Sequence, residues 1–215
     1  MALSEEDIDY LFRFVGYGDP KSRLWFVGIE EGQQGGPDAV KPPARSSHEN
    51  VERDGPELHH DPTLPSGESN RVWAMCRGIA QACGIPSYFM SNIAPVARRN
   101  IRVILPGGLD SRAYRQRVQN ERVPLLGKLL REQQDRVAVF HGKAGWRTHG
   151  VIGQLCDEEE VESLDGAPGV LVCHPRRILL ANTFAYGRRW ISESDQRAIE
   201  HQVDAWLAGS RSGAR

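Results

Sequence analysis

Two adjacent carboxylates, Glu30 and Glu31, stand in the stretch Gly28-Ile29-Glu30-Glu31-Gly32, directly after the apolar run Leu24 to Val27. A carboxylate at a Gly-rich turn can orient a water or stabilise a developing cation; the same pair also suits a solvated acidic turn. Three further stretches pair an apolar run with a polar exit. Asn92 follows Tyr88 to Ser91, His141 and Lys143 follow Val137 to Phe140, and His174 follows Gly169 to Cys173. An Asn amide offers a donor and an acceptor to a base edge. His174, fixed by Pro175, can donate to a developing oxyanion or make a structural hydrogen bond. Arg98 with Arg99, and Arg176 with Arg177, are forked donors suited to phosphate, or solvated loop charges.

These residues need strands to hold them. Short apolar runs bounded by turn residues read as strands buried on both faces of a parallel sheet. Ser4-Glu5-Glu6-Asp7 reads as a capping box opening a helix through Val15, with Ile8, Leu11 and Phe12 on its face. Asn70 or Ser69 caps a second helix that carries Val72, Met75, Ile79 and Cys83. A long helix spans Arg112 to Gln134 with a break near Pro124, Trp146 to Leu155 reads as helix, 157–166 as an acidic loop, and Glu193 to Leu207 as the last helix. The alternation predicts an α/β fold with a parallel sheet covered on both faces. All four strand ends then face one edge, where ligands of open α/β sheets bind.

Composition and charge bound the partners. The chain has 215 residues, 40% hydrophobic and 26% charged, with a net charge of −1. That is one globular domain, or one domain with decoration, of ordinary composition, and contact with a polyanion must come from local patches. Residues 33–69 have sparse apolar residues and several prolines, which predicts a long lid or substrate loop. His48, His59 and His60 lie there and read as solvent-exposed polar residues. Residues 209–215 read as a flexible tail. None of Cys76, Cys83, Cys156 and Cys173 forms a C-x-x-C pair, so reduced thiols and no metal site are expected. The acidic opening residues and the absence of a long apolar run predict a cytoplasmic protein without a membrane segment. No G-x-S-x-G elbow and no phosphate-binding P-loop occurs, which disfavours an unrelated α/β hydrolase acting on a small phosphorylated ligand.

Gly28-Ile29-Glu30-Glu31-Gly32 resembles the first motif of the uracil-DNA glycosylase superfamily. Ser91-Asn92-Ile93-Ala94-Pro95-Val96-Ala97-Arg98-Arg99-Asn100 resembles its middle motif, Val139-Phe140-His141-Gly142-Lys143-Ala144 its third strand, and Val172-Cys173-His174-Pro175 the His-Pro motif of its last catalytic loop. The resemblance implies a single domain over 1–215, a three-layer α/β/α fold with a four-stranded parallel sheet, and excision of a flipped base from DNA by a monomer that needs no cofactor. By position, Glu30 would hold the water, Asn92 would read the base, and His174 would donate to the leaving base. Gly28, Ile29, Glu31, Gly32 and His141 would surround the base. Arg98, Arg99, Lys143, Arg176 and Arg177 would contact DNA, with Leu179 or Leu180 as an apolar wedge. Glu31 stands where the family commonly has proline, and Arg176 and Arg177 where it has small residues, which leaves open a modified or damaged base in place of uracil, or a lost activity. The alternative is a catalytically inactive nucleic-acid- or nucleotide-binding module of the same fold.

Overall fold

The computed structural model describes residues 4–32, 50–55, 58–65, 70–98, 111–142, 146, 149–184 and 191–212. The capping box at the first helix forms as expected. The Ser4 hydroxyl accepts from the Asp7 N–H at 3.1 Å, and the Asp7 carboxylate accepts from the Ser4 N–H at 3.0 Å. This starts α1 (Glu5–Arg13), with three acids in its first turn complementing the helix dipole. The helix ends sooner than its apolar spacing predicts. Phe14 turns extended, and Val15 belongs to a strand, β1 (Phe14–Gly18).

The strands are β2 (Leu24–Gly32), β3 (Glu52–Arg53), β4 (His59–Asp61), β5 (Phe89–Arg98), β6 (Val137–His141), β7 (Val161–Leu164), β8 (Ala167–Cys173) and β9 (Ile178–Ala181). Among the described residues they form one mixed nine-stranded sheet in the order β3-β4-β1-β5-β2-β6-β9-β8-β7. The expected four-stranded parallel sheet is thereby corrected. Four central strands, β5, β2, β6 and β9, are mutually parallel, and antiparallel pairings extend the sheet on both sides. From β2 the chain places β5 on one side and β6 on the other. That reversal is a topological switch point, the place beyond the carboxyl ends of the strands where ligands of open α/β sheets bind.

Side chains alternate across the sheet into two apolar clusters. Trp25, Val27, Phe89, Phe140 and Leu180 face α1 and the helix of residues 111–131. Leu24, Phe26, Val139 and Leu179 face α2 (Arg71–Ala82) and α5 (Glu193–Ser212). Helices therefore cover both faces. Asn70 caps α2, its side chain accepting from the Val72 N–H at 3.0 Å. The helix over 111–131 runs as α3 (Ser111–Arg117), a π turn (Val118–Arg122) and α4 (Val123–Arg131), so the irregularity anticipated near Pro124 is a π turn just before it. Pro124 follows the π turn directly, where the helical ladder has already departed from its regular bonds.

Several local expectations change. Within 33–69, residues 33–49, 56–57 and 66–69, including His48, lie outside the described residues, but the remainder contributes β3 and β4. His60 is buried rather than solvent-exposed, beside Asp54 and with Glu52 at 3.7 Å, and His59 stacks on Tyr10 at 5.4 Å. Of the helix expected over 146–155, the described part keeps the turn Val151–Gln154, where Ile152 and Gly153 depart from helical geometry. Residues 157–166 contain a 3-10 turn and β7 instead of a loop. The last helix continues to Ser212, taking in residues read as tail; 213–215 lie outside the described residues. The four cysteines are free and buried. Among the described residues, no group of three or more His, Cys, Asp or Glu could hold a metal, and no helix is long and apolar enough to cross a membrane.

Candidate functional site

The central register sets which residues meet. Gly28 pairs with Asn92 across β2 and β5, Val27 with Phe140 across β2 and β6, and His141 with Ala181 across β6 and β9. Gly28, Asn92, His141 and Ala181 thus stand at one level of the carboxyl rim. A Cβ on Gly28 would lie 2.5 Å from Asn92 Oδ1, 3.1 Å from His141 Cε1 and 3.3 Å from His141 Nε2. Glycine is what lets the amide and the imidazole converge on the same space. Gly142, at φ +107, lies against the Ile29 side chain, which fills the place its own Cβ would take. The Gly142 N–H bonds the Ala181 carbonyl at 3.0 Å and ties the end of β6 to β9.

The imidazole is fixed by an aromatic partner. Phe184, 1% exposed, stacks on His141 at 4.6 Å between ring centroids and 9° between planes. This partly enclosed position penalises the charged form and lowers the His141 pKa to about 4. At neutral pH the ring therefore carries one N–H donor and one acceptor nitrogen. Asn92 is held from behind: its backbone carbonyl accepts from Arg122 Nε at 3.1 Å. Asn92 and His141 together offer donors and acceptors, with little charge, to a planar polar ligand.

Glu30 lies two residues beyond Gly28 on β2, in register with Ala94, and Gly32 is in register with Arg98. Their backbones therefore continue the same rim. The side chains of Glu30, Glu31 and Arg98 lie outside the described part of these strands, as do Arg99 and Lys143 altogether.

The second histidine is placed elsewhere. β8 is antiparallel to β9, with Cys173 level with Ile178, and Ile178 is level with Ala138 of β6. His174 therefore leaves β8 at the opposite rim, four residue levels from His141, or about 13 Å along the strand direction. There it stands 3.5 Å from Glu162 and edge-on to Trp206. This corrects its expected role as donor at the site. The reason is directional: the run ending at Cys173 is a strand, but an antiparallel one, and the fourth parallel strand is β9. Arg176 and Arg177 occupy the β8–β9 turn at that same far rim, and Arg177, at φ +53, donates to the Trp206 carbonyl at 3.5 Å. Leu179 and Leu180 are fully buried in the middle of β9, one on each face of the sheet, so neither is a wedge on a loop.

Two residues of the site lie outside the sequence reading: Phe184 and Arg122. The run Ile178 to Ala181 carries the signal for Phe184. Read as a strand, it places an aromatic at its exit beside His141. Arg122 has no comparable signal, because a polar residue in a helix is ordinarily solvated. Comparison with known proteins leaves these residues as the ground for a functional reading: no protein-family model matches the chain, and no curated protein matches it.

Proposed function

We propose that this protein is a DNA base glycosylase-like hydrolase, which captures a flipped uracil-like, damaged or modified base and hydrolyses its N-glycosidic bond. One observation carries the reading: Asn92 and a neutral His141 converge over Gly28 at the switch point of the sheet. A nucleobase edge presents carbonyls and N–H groups in one plane, and an amide beside a neutral imidazole complements it without charge. The motif resemblance supports the same reading. Glu30, farther along the same rim, holds the attacking water and stabilises the oxocarbenium-like sugar. As the bond to C1′ breaks, the electron pair passes to the base, where Asn92 and His141 stabilise it through hydrogen bonds. His141 thereby takes the part anticipated for His174.

The test is base release. Wild type and Glu30→Gln are incubated with single- and double-stranded oligonucleotides carrying uracil, deaminated, oxidised and hypermodified bases, then treated with alkali. Strand breaks at one base, absent in the variant, are the expected result; silence across the panel overturns it. A second reading, an inactive nucleic-acid- or nucleotide-binding module, is favoured by the place of His174, because a catalytic His-Pro turn would be lacking at this rim. It predicts salt-sensitive binding that survives Glu30→Gln.

A further inference from the structure

A π turn delivers one cation into the core. Across Val118–Arg122 the Val123 N–H bonds the Val118 carbonyl, five residues back. Such insertions into a helix are rare and concentrate at functional positions. Arg122, carried on this turn, is 2% exposed. Its guanidinium donates to four neutral acceptors: the carbonyls of Asn92 at 3.1 Å, Phe12 at 3.2 Å and Val15 at 3.1 Å, and the Ser91 hydroxyl at 3.2 Å. Burial lowers its pKa to about 10, so it stays charged at neutral pH.

The neighbouring ladder shows what the guanidinium replaces. β1 pairs with β5 at Met90 and Phe89 only. Beyond that ladder the Ser91 hydroxyl donates to the Val15 carbonyl of β1 at 2.5 Å, and Arg122 links the same carbonyl to the Asn92 carbonyl of β5. Burying a guanidinium among dipoles alone costs several kcal/mol of desolvation. A longer β1 ladder with an apolar residue at 122 would join the same strands at lower cost. What the costlier arrangement adds is a rigid fork fastened to the backbone of Asn92.

We propose that Arg122 is a positioning residue for Asn92, holding the strand so that the amide meets a ligand over Gly28 at a fixed place. This rests on the base-capture reading above. The Arg122→Lys variant keeps the charge and loses the fork; Ser91→Ala removes two neighbouring hydrogen bonds, those of its hydroxyl with Arg122 and with the Val15 carbonyl, without touching the Asn92 link. A misplacement near 1 Å costs on the order of 100-fold in rate, so R122K is expected to lower single-turnover base release by about 10- to 100-fold with little change in substrate affinity. S91A is expected to lose stability and keep the wild-type rate.

A second readout needs no turnover. The Asn92 side-chain amide pair, assigned by its absence in Asn92→Ala, is expected to shift or broaden in the 15N spectrum of R122K and to stay in place in S91A. R122Q, which leaves an amide donor in the same space, serves in the same two measurements should R122K not fold. An Asn92 amide unmoved in the Arg122 variant overturns the proposal, as does base release that falls equally in S91A. Silence of the wild type on every oligonucleotide sinks the glycosylase reading alone, and the amide spectrum still decides the role of Arg122.

Discussion

The two rims of the central sheet hold the same kinds of residue in opposite circumstances. At the carboxyl rim, His141 is partly enclosed, stacked on Phe184 and neutral, and it shares the space over Gly28 with Asn92. At the other rim, His174 has a side chain 50% exposed, with a carboxylate and a perpendicular indole for company. Both histidines stand at the end of an apolar run, His141 as the last residue of β6 and His174 directly after β8. Strand direction separates them: β6 is parallel to β2, whereas β8 runs against β9. Residue type and spacing propose candidates for a site, and the sense of each strand decides which of them can meet.

Variants at both rims can break or sharpen this comparison. The largest effect is expected at Asn92 and Glu30. Removing a hydrogen-bonding group that acts on developing charge costs about 100- to 1000-fold in rate, so Asn92→Ala and Glu30→Gln should each lose base release on that scale in single-turnover assays. Leu179→Ala should cost about 2–5 kcal/mol of stability by urea denaturation, as for a fully buried core leucine. A Leu179 that acted as a wedge would instead weaken DNA binding and leave stability intact.

Gly28→Ala is a finer probe. The added methyl meets the far end of a side chain, the Asn92 amide oxygen at 2.5 Å, rather than backbone. The fold should survive with a loss near 1 kcal/mol, while base release falls about tenfold as the amide is displaced. The lowered pKa of His141 also has a sign. Between about 4 and the ordinary value near 6.5 the unfolded chain binds a proton that the folded chain does not, so stability falls as pH drops through that window. Urea midpoints at pH 7 and pH 4.5 should therefore differ more in wild type than in His141→Gln. The smallest effects belong to the far rim, where Arg176→Ala should change base release by less than about twofold and stability by no more than about 0.5 kcal/mol.

Much of the frame was legible. The Ser4 and Asn70 caps and the apolar runs that became β2, β5 and β6 follow from local physics that the structure keeps, whereas the break expected near Pro124 is a π turn within continuous helix. What escaped depends on partners distant in sequence. Val15 continues a helical spacing, yet the chain turns extended at Phe14 and pairs with β4 and β5. His59-His60-Asp61 has no apolar alternation and is a strand because β1 lies beside it. Ile178 to Ala181 is a plain buried strand whose position after Arg176-Arg177 suggested a loop. That one segment misplaced both His174 and Leu179, since naming β8 as the last parallel strand reversed the rim to which its turn belongs. At the site, Asn92 and His141 could be named from their strands, but the imidazole's partner and the guanidinium behind Asn92 required the folded chain.

The most direct test sets one residue from each rim side by side. Wild type, Asn92→Ala and His174→Ala, each shown to be folded, would be assayed together for base release on the oligonucleotide panel. Loss of release in Asn92→Ala with a wild-type rate in His174→Ala is the predicted result. Release that persists without Asn92, or disappears without His174, would contradict a site at the carboxyl rim.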